Sequence, residues 1–489
     1  MPLRDDGKKC SGILLAISSL PSKYGIGSFD KTAYKFVDFL ADTHQSYWQI
    51  LPLCPVGKGN SPYSSFGAFA GEILYIDIDE LKNQGLINKI PHLNFDKNVD
   101  YKKVRNFKYP LLKEAAENFD INSKEYKNFC KENNYWLQNF AEFMTIREST
   151  LGEPLYKWDE ELKYKIPEKI EEINTRYIEE IEFYKITQFL FYKQYKKLKN
   201  YANRKGIKII GDIPFYVSAN SSDVWGEPDL FILKRDMSPK LVAGVPPDIF
   251  SQTGQLWGNP IYNFEYQKKN NYKWWQQRIY QNSELYDIIR IDHFRAFCDY
   301  YIIDADSKNA INGYWEKGIG YEFFDIIKNN NKECKIIAED LGGETRGVRD
   351  LINYTNFPNM KVLQFAFDSD INDPFLPFNF NENCVCYSGT HDNNTTLGWY
   401  KNADYKEKIL FDKLIEKKYD SPVMNLISAG MESVADTVII PMQDYLELDE
   451  RDRMNIPSVE NGNWQWRFSP DDLNEDLVKK ILDLTKNRN

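Results

Sequence analysis

Three short apolar runs in this chain end in acids, the residue type that displacement at a carbon centre calls for. The first is Asp287-Ile-Ile-Arg290-Ile-Asp292-His293-Phe-Arg295. Its isoleucines favour a pleated, buried strand. Side chains alternate along a strand, so Arg290 and Asp292 point the same way. A guanidinium beside a carboxylate favours the ionised form. An ionised carboxylate at the end of a buried strand has the character of a nucleophile on a β/α barrel. A structural ion pair capping the strand accounts for these residues equally well. The second run, 335–338, leads into Glu339-Asp340-Leu-Gly342, and the third, 385–388, leads into Gly389-Thr-His391-Asp392-Asn393. Three endings of this kind, in order, point to strands delivering acids to one rim.

Positioning such a rim takes parallel strands joined by helices. Strand patterns fall at 12–18, 47–53, 207–212, 288–291, 335–339, 361–368, 385–388 and 437–442. Helical spacing falls between them, at 32–43, 272–284, 322–329, 348–353 and 405–418. Eight strands alternating with helices predict an α/β fold, a (β/α)8 TIM barrel, with its site at the C-terminal strand ends. Two stretches break the rhythm. A mainly helical insertion follows the second strand, and a long loop-rich insertion follows the third. The predicted layout is residues 1–56 as the first part of the barrel, 57–200 as the helical insertion, and 201–489 as the remainder. The loop-rich subdomain lies within that remainder at about 215–285. Loops this long inside a compact domain are usually functional.

Composition narrows the partners. The net charge of −10 and the absence of a basic patch exclude a nucleic-acid surface. No apolar run is long enough to span a membrane. The start, Lys8-Lys9 followed by an apolar run at 12–17, imitates a signal peptide but is short and reads as the first barrel strand. The seven scattered cysteines lack a Cys-x-x-Cys pair, which points to reduced thiols in a cytoplasmic protein. Part of the aromatic content fits stacking on sugar rings.

Several segments together resemble the amylomaltase, or disproportionating-enzyme, family of 4-α-glucanotransferases within the α-amylase clan. They are Arg290-Ile-Asp-His-Phe-Arg, Ala338-Glu-Asp-Leu-Gly, Gly389-Thr-His-Asp-Asn, Gly211-Asp-Ile-Pro-Phe-Tyr, Gly254-Gln-Leu-Trp-Gly-Asn-Pro-Ile-Tyr and Ser61-Pro-Tyr-Ser. The resemblance runs from about Gly12 to Arg467. It implies transfer of α-1,4-glucan segments between malto-oligosaccharides, with larger α-1,4-glucans as further donors and with no cofactor. Asp292 matches the nucleophile and Glu339 the acid/base, which must begin protonated. Asp392 matches the third acid, gripping sugar hydroxyls. Arg290 orients Asp292. His293 and His391 match histidines that hydrogen-bond the sugar. A metal is not expected, since both flank acids already assigned. Tyr63 matches an aromatic platform, and Asp212 a structural or substrate-contacting acid. Asp368 matches an acid contacting bound sugar. Phe250, Trp257 and Asn259 lie on the long loop, and Asn463 in a C-terminal segment near the rim. Two positions depart from the family pattern: Ala296 stands where Gly is usual, and Asn394 where Asp is frequent. Ala296 raises the expectation of an altered backbone. Asn394 removes one charge near Asp392.

Two other functions fit the same residues. A retaining α-glucan hydrolase would share every catalytic group but lack the 254–262 and 61–64 segments. A non-catalytic glucan-binding protein would have no need of the acid set.

Overall fold

The computed structural model describes residue 3 and residues 8–247, 251–330, 334–342, 345–486 and 488. Twelve strands are present among them: β1 Cys10–Leu14, β2 Tyr47–Gln49, β3 Lys208–Ile213, β4 Leu241–Val245, β5 Gln255–Pro260, β6 Ile288–Ile291, β7 Asp299–Asp304, β8 Tyr314–Lys317, β9 Lys335–Ala338, β10 Asn359–Val362, β11 Cys384–Tyr387 and β12 Thr437–Pro441. Eight of them close a barrel in the order β1-β12-β11-β10-β9-β6-β3-β2. Every barrel pair is parallel. The eight correspond one to one to the expected strands. Several are shorter, because the chain turns aside at the rim before the apolar run ends. β10 stops at Val362, and a 3-10 turn, Leu363–Phe365, follows it. Asp368 is therefore six residues past the strand, not at its end.

The strands form for local reasons. β6 buries all four of its residues, and three of them are isoleucine. Covering one such side chain stabilises by about 1.5–3 kcal/mol. In β3 a Cβ at Gly211 would lie 2.1 Å from the ring of Tyr286. Glycine is what lets that ring pack beside Asp212.

The remaining four strands form a separate antiparallel sheet, in the order β5-β4-β7-β8. This sheet was not legible in advance. The stretch expected to be loop-rich contributes β4 and β5, and the chain beyond β6 contributes β7 and β8. Between β2 and β3 the chain inserts helices, from Ile78–Asn83 through Tyr101–Glu117 and Asn134–Ser149 to the long helix Ile178–Arg204. No described helix is long and apolar enough to cross a membrane. None of the seven cysteines is in a disulfide.

The insertion is tied to the barrel by a buried lysine. Lys108 is fully covered, and its Nζ donates to Leu74 O (2.5 Å), Ser28 Oγ (2.8 Å) and Ile76 O (2.9 Å). Burial pushes the amine down to about 8, against the pull of Asp30, Asp77 and Glu72. Between about pH 8 and 10.5 the unfolded chain therefore holds a proton that the folded one has released, so stability rises with pH across that window. Urea unfolding should show wild type gaining about 2 kcal/mol relative to Lys108→Met between pH 7 and 10. A difference that is flat with pH would mean that Lys108 stays charged.

Candidate active site

Strand register brings the charged groups together. Asp212 on β3 is paired with Arg290 on β6. Arg290 Nη1 donates to both carboxylate oxygens of Asp212, at 2.8 and 2.7 Å, and to Asp292 Oδ1 at 3.2 Å. Arg290 is 3% exposed. Burying an unpaired ion costs several kcal/mol, so these acids are what make a buried guanidinium tolerable. Tyr63 Oη donates to Asp212 Oδ2 at 2.6 Å. The order along this network is Tyr63, Asp212, Arg290, Asp292.

Arg290 favours the ionised form of Asp292, and burial opposes it. Burial pushes Asp292 up to about 7 against Arg290, and Asp212, Glu339 and Asp392 add to the rise. Arg290 is closer to Asp212 than to Asp292, so its charge is shared. The Asp292 side chain is 28% exposed, opening to a cleft.

Glu339 follows β9. The backbone N–H of His293 donates to its Oε2 (2.7 Å), and that of Leu341 to its Oε1 (2.8 Å). His293 reaches Glu339 from a left-handed backbone conformation, φ 53°. A residue other than glycine pays about 1–2 kcal/mol for this. Ala296 lies in the following 3-10 turn, Phe294–Phe297, outside the left-handed region, so alanine fits there without strain.

Asp392 follows β11. Its Oδ1 accepts from Asn455 Nδ2 at 2.6 Å, and its Oδ2 lies 3.2 Å from His391 Nε2. Burial alone would raise Asp392, but the charge of His391 and the Asn455 hydrogen bond hold it well below the usual carboxylate range. His391 rises in turn, the pull of Asp392 outweighing its burial. Burial pushes His293 down. Tyr63 stacks on His391, with ring centroids 5.1 Å apart and planes at 14°. Asn394 is not part of the cleft wall. Its carbonyl accepts from Gln364, and its side chain packs against Gly398.

A cleft of about 1400 Å3 opens over this cluster, lined by Tyr63, Arg290, Asp292, His293, Glu339 and Asp392 among others. Trp257 on β5 is 38% exposed, and its ring meets the edge of His293 at 4.9 Å. Asn259 also faces the cleft, and its Nδ2 donates to Val217 O at 2.8 Å. Asp212 and His391 stand just behind the wall. Asp368 is exposed and apart from the cleft. Asn463 is buried, closing a loop through Ile456 and Val459. Phe250 lies outside the described residues. Sequence reasoning missed Arg453 and Asn455, which grip the Asp392 segment. They sit in a charged run, 447–453, and just beyond it, which by pattern reads as a solvated loop. Among the described residues no group of three or more His, Cys, Asp or Glu is placed to hold a metal ion.

The sequence profile of a family described as 4-alpha-glucanotransferase matches residues 15–474. The chain belongs to the 4-alpha-glucanotransferase family. The 4-alpha-glucanotransferase of Streptococcus pneumoniae serotype 4 is 44% identical, over 98% of this chain and 97% of its own. That of Clostridium butyricum is 43% identical, over 96% and 98%. Among solved structures, the amylomaltase from Streptococcus agalactiae in complex with acarbose superposes with a TM-score of 0.95. It is 40% identical, over 98% of this chain and 99% of that one. The amylomaltase from Corynebacterium glutamicum, at 15% identity and a TM-score of 0.76, shares the fold. The chain is thus an enzyme of the glycosyltransferase type, with the barrel of amylomaltases.

Proposed function

We propose that this 4-alpha-glucanotransferase moves α-1,4-glucan segments between malto-oligosaccharides by retaining double displacement. Asp292 attacks the anomeric carbon of the donor, and the bond to the departing O4 breaks. Glu339 gives that oxygen its proton. The glucosyl ester on Asp292 is then attacked by the 4-hydroxyl of an acceptor, which returns its proton to Glu339 and frees Asp292. Asp392 and His293 hold the hydroxyls of the reacting sugar, His391 backs Asp392 from behind the wall, and Arg290 orients the nucleophile. Larger α-1,4-glucans serve as further donors. The observation that carries this reading is the convergence of β6, β9 and β11, each delivering one acid to a single cleft around Arg290. The acarbose held by the Streptococcus agalactiae relative supports an oligosaccharide occupant. Seven cysteines outside any disulfide support a cytoplasmic setting.

The acids do not decide between transfer and hydrolysis, since water and a sugar hydroxyl need the same base. Water is present at about 55 M, whereas a positioned acceptor is worth an effective molarity on the order of 10⁵ M or more. Trp257, set against His293 and exposed to the cleft, is a surface on which an acceptor ring can stack. Maltotriose should yield glucose and a ladder of longer maltodextrins, with almost no net gain in reducing ends. Trp257→Ala should raise the hydrolytic share. Reducing ends rising in step with bond cleavage in the wild type would replace this reading with the hydrolase.

A further inference from the structure

The third acid is held by residues that the scheme above leaves idle. The Asp392 side chain is 43% exposed, so packing alone does not fix its torsions. His391 Nε2 is 3.2 Å from Oδ2 but off the line of a hydrogen bond. Asn455 supplies the well-formed contact, Nδ2 to Oδ1 at 2.6 Å. Facing a carboxylate at that range, the amide must turn its N–H inward, because its oxygen would set two acceptors against each other.

Asn455 is itself built in. Its backbone N–H donates to His391 O at 3.1 Å. Its carbonyl accepts from Arg453 Nε at 3.2 Å, while Arg453 Nη2 donates to Asp392 O at 2.9 Å. Residues 453–455 therefore form a strap from beyond β12 that grips both residues of the His391-Asp392 pair. The main-chain contacts set the height of the segment, and Asn455 Nδ2 sets the rotation of the carboxylate.

We propose that Asn455 is the positioning residue for Asp392. It pins one oxygen so that the carboxylate presents a fixed edge to the hydroxyls of the reacting glucosyl unit. The proposal rests on the role of Asp392 given above. Because Asn455 is neutral, it orients the acid without cancelling the charge that the developing oxocarbenium ion draws on. A carboxylate free to rotate would still bind sugar in some of its poses. It would be aligned less often when the bond breaks, so the loss should fall on kcat more than on KM.

The test is a double-mutant cycle in maltotriose transfer, run alongside thermal unfolding. Asn455→Ala should lower kcat by about 10- to 100-fold, with KM within about threefold. In an Asp392→Asn background the same change should cost less than about threefold more, because the group it positions is already gone. Losses that multiply in full, or a wild-type kcat in Asn455→Ala, would overturn the proposal. Asp392→Asn with wild-type transfer would instead remove the role of Asp392 on which it rests. If Asn455→Ala does not fold, Asn455→Leu keeps the shape without the donor, and the same two outcomes apply.

Discussion

Asp292→Asn is expected to slow transfer by a factor on the order of 10⁴ or more. The amide keeps the shape of the carboxylate and can still accept from Arg290 Nη1, now 3.2 Å from Oδ1. What it lacks is a charged oxygen to bond to the anomeric carbon. The fold should survive, because Arg290 keeps its closer partner Asp212. Glucan binding should survive too, since the cleft wall is unchanged. Removing the negative charge also relieves the crowding of four acids around one guanidinium, so thermal stability should hold or rise. A slow fluorinated glucosyl donor should leave a covalent adduct on the wild type, and peptide mapping should place it on Asp292. An adduct on Glu339 or Asp392 would reverse the assignment of roles.

Glu339→Gln should separate substrates by their leaving groups. A departing sugar alkoxide needs a proton, and an activated fluoride does not. Transfer from natural glucans should fall by about 10²- to 10⁴-fold, while formation of the glucosyl ester from glucosyl fluoride should be largely kept. The backbone N–H groups of His293 and Leu341 meet different oxygens of Glu339, so in the glutamine one can still donate to Oε1 while the other clashes with the amide NH2. Glu339→Ala, which removes that clash, is the control. Equal losses on both donors in both variants would show that Glu339 is not the acid.

Much of the barrel was legible because its signals are local. An apolar run such as 288–291 announces a buried strand whatever surrounds it, and the acid after it announces the rim. The antiparallel sheet was not legible. β7, Asp299–Asp304, has the aromatic and β-branched residues of a strand, but its partners β4 and β8 lie on either side of it in sequence and leave no common period. Asp368 was placed by extending an apolar run that the chain abandons at Val362 for a 3-10 turn. The sharing of Arg290 was not legible because Asp212, 78 residues before it, makes the closer contacts with the guanidinium. Asn455 was invisible for the same reason: an asparagine in a polar loop acquires meaning only when folding sets it 2.6 Å from Asp392.

The closure of the barrel has a consequence for how the molecule is made. β1 pairs with β12, Cys10 opposite Thr437. A ribosome adding about 5–20 residues per second leaves β1 waiting roughly 20–90 s for that partner. β2 arrives early and covers one side of β1. The other side keeps its amides and carbonyls open, on a strand carrying Ile13 and Leu14, and such an edge is a template for pairing with a neighbouring nascent chain. The helices of the insertion make contacts close in sequence and can settle during this interval. The hazard of aggregation is thus concentrated in translation, and the demand for chaperones should follow elongation speed and polysome crowding more closely than the stability of the finished enzyme.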